Sequence, residues 1–305
     1  MASIMRPLDG VLLFDKPLGL SSNIALQKVR RLFQAEKAGH TGTLDPLATG
    51  LLPICFGEAT KFTSSLLEAD KTYCALIRLG QTTATGDAEG EITSTCAVEL
   101  DEAEVRSVLC KFIGVIQQIP PMHSALKHQG KPLYEYIRKG ETVIRASRSV
   151  VIHELALERL AGNEMEVTVR CSKGTYVRTL AEDIGSALGC GAHLQGLRRT
   201  AIGRFGLKGG AHNLAQMESV TMLEREAYIL PLDSLLRDLP VLDLDAAQVT
   251  RIAQGQRLVI DTAMLDGNVR LYGAGRFIGV ANLVEQRLTP VRLLSSVAKN
   301  AACVA

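Results

Sequence analysis

A loop of small, uncharged residues encloses a single carboxylate in the first fifth of the chain. The loop is GHTGTLDPLATGLLP, residues 39–53, and its acid is Asp45. Asp45-Pro46 alone would be an ordinary turn, in which Asp accepts a backbone hydrogen bond and Pro presets φ. The surrounding residues instead indicate a pocket for a docked partner. Its glycines permit close backbone approach and its threonines add uncharged hydroxyls, namely Gly39, Gly42, Gly50, Thr41, Thr43 and Thr49.

Four further blocks follow a known order around this loop. They are GVLLFDKPLGLSSN (Gly10–Asn23), KTY (Lys71–Tyr73), SKGTYVRTLAEDIG (Ser172–Gly185) and HLQGLRRTAIGRF (His193–Phe205). With residues 39–53 they resemble the motifs of the TruB-type tRNA pseudouridine synthases, the bacterial type, which convert the T-loop uridine at position 55 of tRNA to pseudouridine. The resemblance implies an isomerase that binds RNA and acts in tRNA processing.

The implied reaction needs a shielded carboxylate. It breaks the N-glycosidic bond of uridine, turns the uracil and joins its C5 to the ribose, and water must not intervene. Asp45 is the catalytic residue that the resemblance implies. The carboxylate can add covalently to the sugar or base, or remove a ribose proton to begin elimination, and the sequence leaves these routes open.

Other site residues follow from the resemblance. A stacked base must be extruded into a pocket before chemistry, and the family places Tyr73 and Tyr176 against that base. It places His40 within the remodelled T-loop and Leu197 in the uracil pocket. On local pattern alone, the tyrosines and the leucine would be ordinary core or surface residues. His40 would be a polar loop residue or a hydrogen-bonded core histidine.

Arg178 stands out because it lies at a predicted helix start, where a cation gains nothing from the helix dipole. It would otherwise be a solvated arginine, but the resemblance pairs it with Asp45, so we expect it to keep that acid ionised. The Tyr73 hydroxyl is a candidate for proton removal from C5. Lys16 and Pro17 look structural and support the pocket.

Two basic stretches are candidate RNA contacts or simply solvated surface. The first, residues 122–150, resembles the mobile segment that closes over the T-arm, so we expect it to be poorly ordered without RNA. Its basic and aromatic residues are Lys127, Lys131, Arg138, Lys139, Arg145, Arg148, Tyr134 and Tyr136. The second, residues 191–210, contains no acid and carries Arg198, Arg199, Arg204 and Lys208.

Hydrophobic spacing predicts the elements that position these residues. Ser21 or Ser22 caps a helix whose buried side is Ala25, Val29, Leu32 and Phe33, and the alternation from Thr72 to Leu79 indicates a strand. Residues 86–90 read as a turn, and two strands flank a hairpin at residues 161–163. The remaining helices are one from Asp101, with Val105, Val108, Leu109, Phe112 and Ile113 buried, and one after Gly174 that packs Val177, Leu180, Ile184 and Leu188.

This order predicts an α+β fold with a largely antiparallel sheet flanked by helices, and the resemblance implies the pseudouridine-synthase fold. Beyond Pro231, short apolar runs broken by glycines indicate a small barrel-like β module. It resembles the PUA-like RNA-binding domain of this family. We place a catalytic domain at residues 1–238 and the PUA-like domain at 239–305.

Composition agrees without deciding the function. The net charge of +2 neither requires nor excludes RNA, and the seven cysteines show no CxxC or zinc spacing. With no apolar run of membrane-spanning length, we expect a cytoplasmic protein. We expect a monomer, because no heptad pattern is visible. The resemblance implies the tRNA T-arm as the partner, and we expect no DNA, membrane, metal or organic cofactor.

Three rival interpretations remain open. One is a guide-RNA-dependent synthase of the dyskerin type, against which the basic closing segment and the lack of long charged tails argue. Another is a non-catalytic module that binds and folds tRNA, which would not need Asp45. The third is a retaining glycosidase with Asp45 as nucleophile, but no partner acid is evident nearby.

Overall fold

The structure is a computed structural model that describes residues 5–124, 126–137, 140–141 and 143–297. Its strands and helices in chain order are β1 (Gly10–Lys16), α1 (Ser22–Leu32), β2 (Ala38–His40), β3 (Ala48–Phe56), α2 (Ser64–Glu68), β4 (Lys71–Leu79), β5 (Gln81–Thr83), β6 (Ile92–Thr95), α3 (Glu102–Cys110), β7 (Gly114–Gln118), β8 (Lys127–His128), β9 (Lys131–Pro132), α4 (Leu133–Ile137), β10 (Arg148–Ala161), β11 (Glu164–Cys171), α5 (Val177–Ala187), β12 (Ala192–Ile202), β13 (Phe205–Gly206), α6 (Leu214–Glu218), α7 (Met222–Glu226), β14 (Ile229–Leu230), β15 (Val241–Leu244), α8 (Ala246–Ala253), β16 (Leu258–Val259), β17 (Gly267–Gly273), β18 (Arg276–Val284) and β19 (Arg287–Leu293).

A large mixed sheet organises the first part of the chain. Its strand order is β14-β1-β3-β12-β4-β11-β10-β7. In addition, β2 pairs with β3, and β13 pairs with β12. Neighbouring strands run antiparallel except β3 and β12, which are parallel. The expected α+β fold with a largely antiparallel mixed sheet is therefore confirmed.

Alternating side chains give this sheet two buried faces. On β1, Leu12 and Phe14 point to a core shared with α1, α3 and α5. Val11 and Leu13 point to the opposite core, which contains Phe62 and residues of the C-terminal sheet. The period of two along a strand sends successive side chains to opposite faces. Burial on both faces explains why β1 and β3 are nearly continuous apolar runs.

The predicted local elements are largely present. Ser21 caps α1 by accepting the Ile24 backbone N–H, β4 buries alternate residues, and a hairpin joins β10 to β11. One detail is wrong: α3 ends at Cys110, so Ile113 lies beyond it and is 47% exposed. The 3.6-residue spacing of apolar residues continues past the point where the helix stops.

A smaller curled sheet follows in the order β15-β17-β18-β19-β16. It packs against the first part of the chain through the Phe62 and Phe277 rings, whose centroids lie 5.6 Å apart. Asp233 accepts hydrogen bonds from Tyr272 Oη at 2.6 Å and Arg270 Nη1 at 3.2 Å. The predicted barrel-like module is thus a half-barrel sheet fastened to the larger one. No helix in the described ranges is long and apolar enough to cross a membrane.

The parallel contact of β3 with β12 depends on Gly50. Gly50 lies opposite Arg199 and has φ +100°, and a Cβ there would lie 2.3 Å from the Arg199 carbonyl oxygen. A side chain would strain the backbone and separate the strands. This glycine therefore lets the two strands meet beside the Asp45 loop.

We expect Gly50→Ala to lower the free energy of unfolding by more than about 3 kcal/mol, because it adds backbone strain and a clash with backbone atoms. Gly209→Ala is the matched control, since no atom lies within 4 Å of a Cβ built there. Urea unfolding followed by circular dichroism measures both. Equal stability of the two variants would contradict this account.

Candidate active site

A cleft of about 880 Å³ opens where the Asp45 loop, β4, β12 and the N-terminus of α5 meet. The six residues singled out from the sequence all line it: Asp45, His40, Tyr73, Tyr176, Arg178 and Leu197. They come from sequence positions more than a hundred residues apart. The structure thus brings the predicted site residues together in one place.

Two short-range anchors hold the Asp45 loop. The Ser22 hydroxyl accepts the Leu44 N–H at 2.7 Å and donates to the Leu44 carbonyl at 2.9 Å. The Gly19 N–H donates to the Pro46 carbonyl at 2.9 Å. The residues flanking Asp45 are therefore tied to the start of α1 and the loop before it.

Lys16 is fully buried and holds that preceding loop. Its Nζ donates to the carbonyls of Pro17 at 3.0 Å and Leu20 at 2.6 Å. Burial lowers the pKa of the Lys16 ammonium to about 8, although Asp45 opposes this shift. These contacts agree with the structural role expected for Lys16.

Arg178 lies between two carboxylates. Its Nη2 is 3.1 Å from Asp45 Oδ2, and its Nη1 is 3.2 Å from Asp87 Oδ2. Nη2 also donates to the His123 carbonyl at 2.6 Å. The expected pairing of Arg178 with Asp45 is present, and Asp87 is a second partner that sequence reasoning missed.

Asp87 is nearly inaccessible and is fixed before any substrate binds. Its Oδ1 accepts from Thr85 Oγ1 at 2.6 Å and from the Glu89 N–H at 3.1 Å, leaving Oδ2 for Arg178. The sequence showed only a turn at residues 86–90, a pattern in which an Asp is usual. The sequence does not show that Asp87 is buried, because its burial depends on a tertiary contact: the turn docks on β12 through a bridge between Asp87 and Leu194.

Of the three charged groups Asp87, Arg178 and Asp45, Asp45 is the exposed one: 46% of its side-chain surface is accessible. Desolvation by the cleft walls raises the pKa of Asp45 above its ordinary value. Arg178 lowers that pKa and Asp87 raises it again. Arg178 thus offsets part of the effect of burial on the pKa of Asp45, and the expectation that it keeps Asp45 ionised stays a prediction.

Tyr73 lies on the cleft floor beside Leu197. Tyr73 on β4 is 9% exposed, and burial raises the pKa of its hydroxyl. Leu197 on β12 pairs with Ala48 on one side and Ala75 on the other, and its carbonyl accepts from Thr49 Oγ1 at 3.4 Å. The two side chains form an apolar floor suited to a base face.

Tyr176 lines the cleft at the N-terminus of α5, and Gln118 holds its backbone. The Gln118 side-chain amide accepts from the Tyr176 N–H at 3.0 Å and donates to the Tyr176 carbonyl at 3.2 Å. The Arg148 guanidinium lies 4.8 Å from the centre of the Tyr176 ring. Gln118 is 1% exposed and was not predicted, because nothing local distinguishes it from other strand residues.

His40 ends β2 at the cleft edge. Its Nδ1 is buried without a hydrogen-bond partner among the described residues. Burial and, to a lesser degree, Arg199 lower the pKa of the His40 imidazole. A neutral ring at this position is suited to stacking.

The second basic stretch is divided between surface and core, and RNA contact by its surface residues stays a prediction. Arg199 is 1% exposed and donates to the carbonyls of Leu51 and Gly42. Arg198 points to the other side and pairs with Asp15 at 2.7 Å. The alternation of a strand separates the two neighbouring arginines.

The first basic stretch includes the small β8–β9 hairpin and α4. Arg145 Nη1 donates to the Pro120 carbonyl at 2.9 Å, and Arg148 donates to the Gly174 carbonyl. Arg138 and Lys139 lie outside the described residues, and poor order without RNA stays a prediction. Within the described part of the chain, no cluster of His, Cys, Asp or Glu could hold a metal ion.

Comparison with known proteins decides the family. Residues 30–177 match the model "TruB family pseudouridylate synthase (N terminal domain)". Residues 178–237 match "tRNA pseudouridylate synthase B C-terminal domain", and residues 240–294 match "Pseudouridine synthase II TruB, C-terminal". The tRNA pseudouridine synthase B of Burkholderia mallei (strain NCTC 10247) is 57% identical over 95% of this chain and 98% of its own length. This chain belongs to the TruB family.

A second relative in the TruB family is the tRNA pseudouridine synthase B of Methylobacillus flagellatus, which is 52% identical over 95% of this chain and 97% of its own length. Among solved structures, a Cbf5-Nop10-Gar1 complex matches with TM-score 0.71 and 24% identity, covering 94% of this chain and 84% of that one. An H/ACA RNP bound to a substrate RNA containing 2'-deoxyuridine matches with TM-score 0.70 and 23% identity, covering 93% and 84%. The structural likeness confirms the pseudouridine-synthase fold.

We expect Asp87→Asn to lower the free energy of unfolding by about 3 kcal/mol, because it removes one partner of a buried cation. The control is Glu102→Gln on α3, whose pair with Arg106 is more than half exposed and should contribute less than about 1 kcal/mol. Urea denaturation measures both. Comparable losses in the two variants would show that the Arg178–Asp87 pair is not specially stabilising.

Proposed function

We propose that this chain isomerises a tRNA uridine to pseudouridine, and that its target is the T-loop uridine at position 55. The observation that carries this proposal is the carboxylate of Asp45, held 3.1 Å from the buried Arg178 in a cleft with an aromatic and aliphatic lining. Family membership supports the tRNA uridine reaction. The position of the uridine rests on the resemblance of the Asp45 loop and its accompanying motifs.

In this function Asp45 faces the extruded nucleoside. The ionised carboxylate either attacks the sugar or base or takes a ribose proton, and Arg178 orients it for that step. The cleft walls limit water around the detached uracil, which must turn before C5 meets the ribose carbon. The reaction leaves the oxidation state unchanged and needs no metal or organic cofactor in this scheme.

The remaining cleft residues receive the base. Tyr73 and Leu197 pack beneath the uracil and Tyr176 covers it, so stacking offsets the cost of extrusion. His40 occupies space in the T-loop left by flipped nucleotides. Strands, a helix end and the anchored Asp45 loop build the site, which keeps it preformed.

RNA binding extends beyond the cleft. We assign residues 1–238 to the catalytic domain, residues 122–150 to T-arm closure and residues 239–305 to a PUA-like RNA-binding domain. This division agrees with the start of the half-barrel sheet at Val241. The enzyme acts as a monomer in the cytoplasm, with tRNA rather than DNA or membrane as its partner.

The direct test incubates the purified chain alone with unmodified tRNA and maps pseudouridine by mass spectrometry. A T-arm stem-loop that folds in monovalent salt, assayed with excess chelator, should be modified at the same uridine. No product with the chain alone would favour a guided synthase or a folding module. Activity lost to chelator and restored by one divalent ion, with the RNA fold unchanged, would reveal a protein-bound metal.

We expect Asp45→Asn to abolish turnover and to keep tRNA affinity within about tenfold of the parent, because phosphate contacts lie elsewhere. The exposed Glu102→Gln serves as the control for turnover. Single-turnover assays and filter binding supply the two quantities. Appreciable turnover by folded Asp45→Asn would remove Asp45 from the mechanism.

The pH dependence of catalysis should follow Asp45. Its pKa is raised by burial and lowered by Arg178, so the rate should fall as the pH decreases through a value above that of ordinary aspartate. Arg178→Gln removes the cation and should move this acid limb to higher pH, whereas Arg178→Lys should move it less. Rates at saturating protein across the pH range provide the test, and an unmoved limb in Arg178→Gln argues against the coupling.

A further inference from the structure

Arg148 is a cation of the cleft wall to which the proposed chemistry gives no role. It begins β10, where its register partner on β7 is Gln118, and it lines the cleft together with Tyr176. Gln118 is the residue that bonds both the backbone N–H and the carbonyl of Tyr176. The pairing of β7 with β10 therefore places Arg148 beside the residue that fixes the start of α5.

The Arg148 guanidinium contacts the segment that leads into α5 at two points. Its Cζ lies 4.8 Å from the centre of the Tyr176 ring, inside the range of about 6 Å for a cation–π contact. Its Nη2 donates to the Gly174 carbonyl. A Cβ built on Gly174 would lie 3.4 Å from Arg148 Cζ, so the guanidinium also packs against the backbone of this glycine. One side chain thus connects a ring with a carbonyl two residues earlier.

The charge of Arg148 meets an aromatic face where Arg178 meets carboxylates. No acid of the described residues forms an ion pair with Arg148, whereas Arg178 has two such partners. The electron-rich groups around the Arg148 guanidinium are the Tyr176 ring and the Gly174 carbonyl. A ring has two faces, and a guanidinium that covers one of them leaves the other for a base.

We propose that Arg148 is a positioning residue for Tyr176: its guanidinium holds the Tyr176 ring in the orientation that receives the extruded base. A ring that is fixed before the RNA arrives loses less side-chain entropy when a base stacks on it, so the contact raises the affinity for the target nucleotide. Arg148 acts through the ring and takes no part in the chemistry at Asp45. The inference rests on the proposed function and adds to it a residue that prepares the base-binding wall.

The test is a double-mutant cycle on the affinity for a T-arm stem-loop, measured by filter binding in the Asp45→Asn background so that the uridine stays unconverted. Arg148→Gln should weaken binding about fivefold or more when Tyr176 is present, because a cation–π contact is lost. The same change should weaken binding by less than about twofold in Tyr176→Leu, because the ring that it holds is already gone. Arg159→Gln is the control, since Arg159 lies on the same strand, outside the cleft and half exposed.

Direct contact of Arg148 with an RNA phosphate is the rival explanation, because its Nε is buried without a hydrogen-bond partner among the described residues. This contact would weaken binding by the same factor with and without the Tyr176 ring. It would also make Arg148→Gln reduce the slope of log affinity against log salt concentration by about one unit. Equal factors or a reduced slope would overturn the proposal.

The activity of the parent chain separates this inference from the proposed function. A parent that forms no pseudouridine in tRNA would overturn the proposed function and this inference with it. An active parent with equal losses in the two arms of the cycle overturns this inference alone.

The contact can also be measured without RNA. The chain contains no tryptophan, so Tyr176→Trp introduces a single indole at the position in question. In this variant Arg148→Gln should shift the indole emission to longer wavelength and increase its quenching by acrylamide, because the guanidinium no longer covers the ring. Arg159→Gln should change neither. This measurement decides the matter if Tyr176→Leu binds RNA too weakly for the cycle, and an unchanged emission and quenching would overturn the proposal.

Discussion

The buried guanidinium of Arg178 is the interaction on which the rest of the site depends. A cation in this position must be paired, because its burial is costly otherwise. Asp87 pairs with it from a turn docked on β12, and Asp45 pairs with it from the loop before β3. The arginine itself is supplied by α5. The ion pairs thus couple three elements distant in sequence, and the geometry around Asp45 requires all of them to be folded.

Two cations act on two different groups of the cleft. Arg178 forms an ion pair with the carboxylate of Asp45, and Arg199 on β12 lies opposite Tyr73 on β4. Each lowers the pKa of its partner against the opposing effect of burial. Burial is needed to limit water around the reacting nucleoside, but it disfavours charge on both groups. Each cation therefore offsets part of the effect of burial on the pKa of one group, Arg178 for Asp45 and Arg199 for Tyr73.

Local pattern predicted the helices and strands, the family resemblance supplied the site residues, and both missed residues that only tertiary contacts bring to the site. The helix after Ser21 and the alternating strand through Tyr73 are encoded by caps and by hydrophobic period. The pairing of Arg178 with Asp45 came from resemblance alone. Asp87 and Gln118 were missed, because a turn aspartate and a strand glutamine carry no local sign of burial. The adjacent Arg198 and Arg199 were grouped as one basic stretch, although a strand sends them to opposite faces.

The central position of β12 explains why the site lies in the middle of the sheet. Its parallel neighbour β3 begins at Ala48, so the chain enters the sheet directly after Asp45. Its antiparallel neighbour β4 brings Tyr73 opposite Arg199. Because Gly50 has no side chain, β3 can approach the backbone of Arg199 closely. A loop carboxylate and a strand aromatic therefore meet over a floor fixed by backbone hydrogen bonds. We expect such a floor to move little when a substrate binds, because the paired strands β3, β12 and β4 hold it.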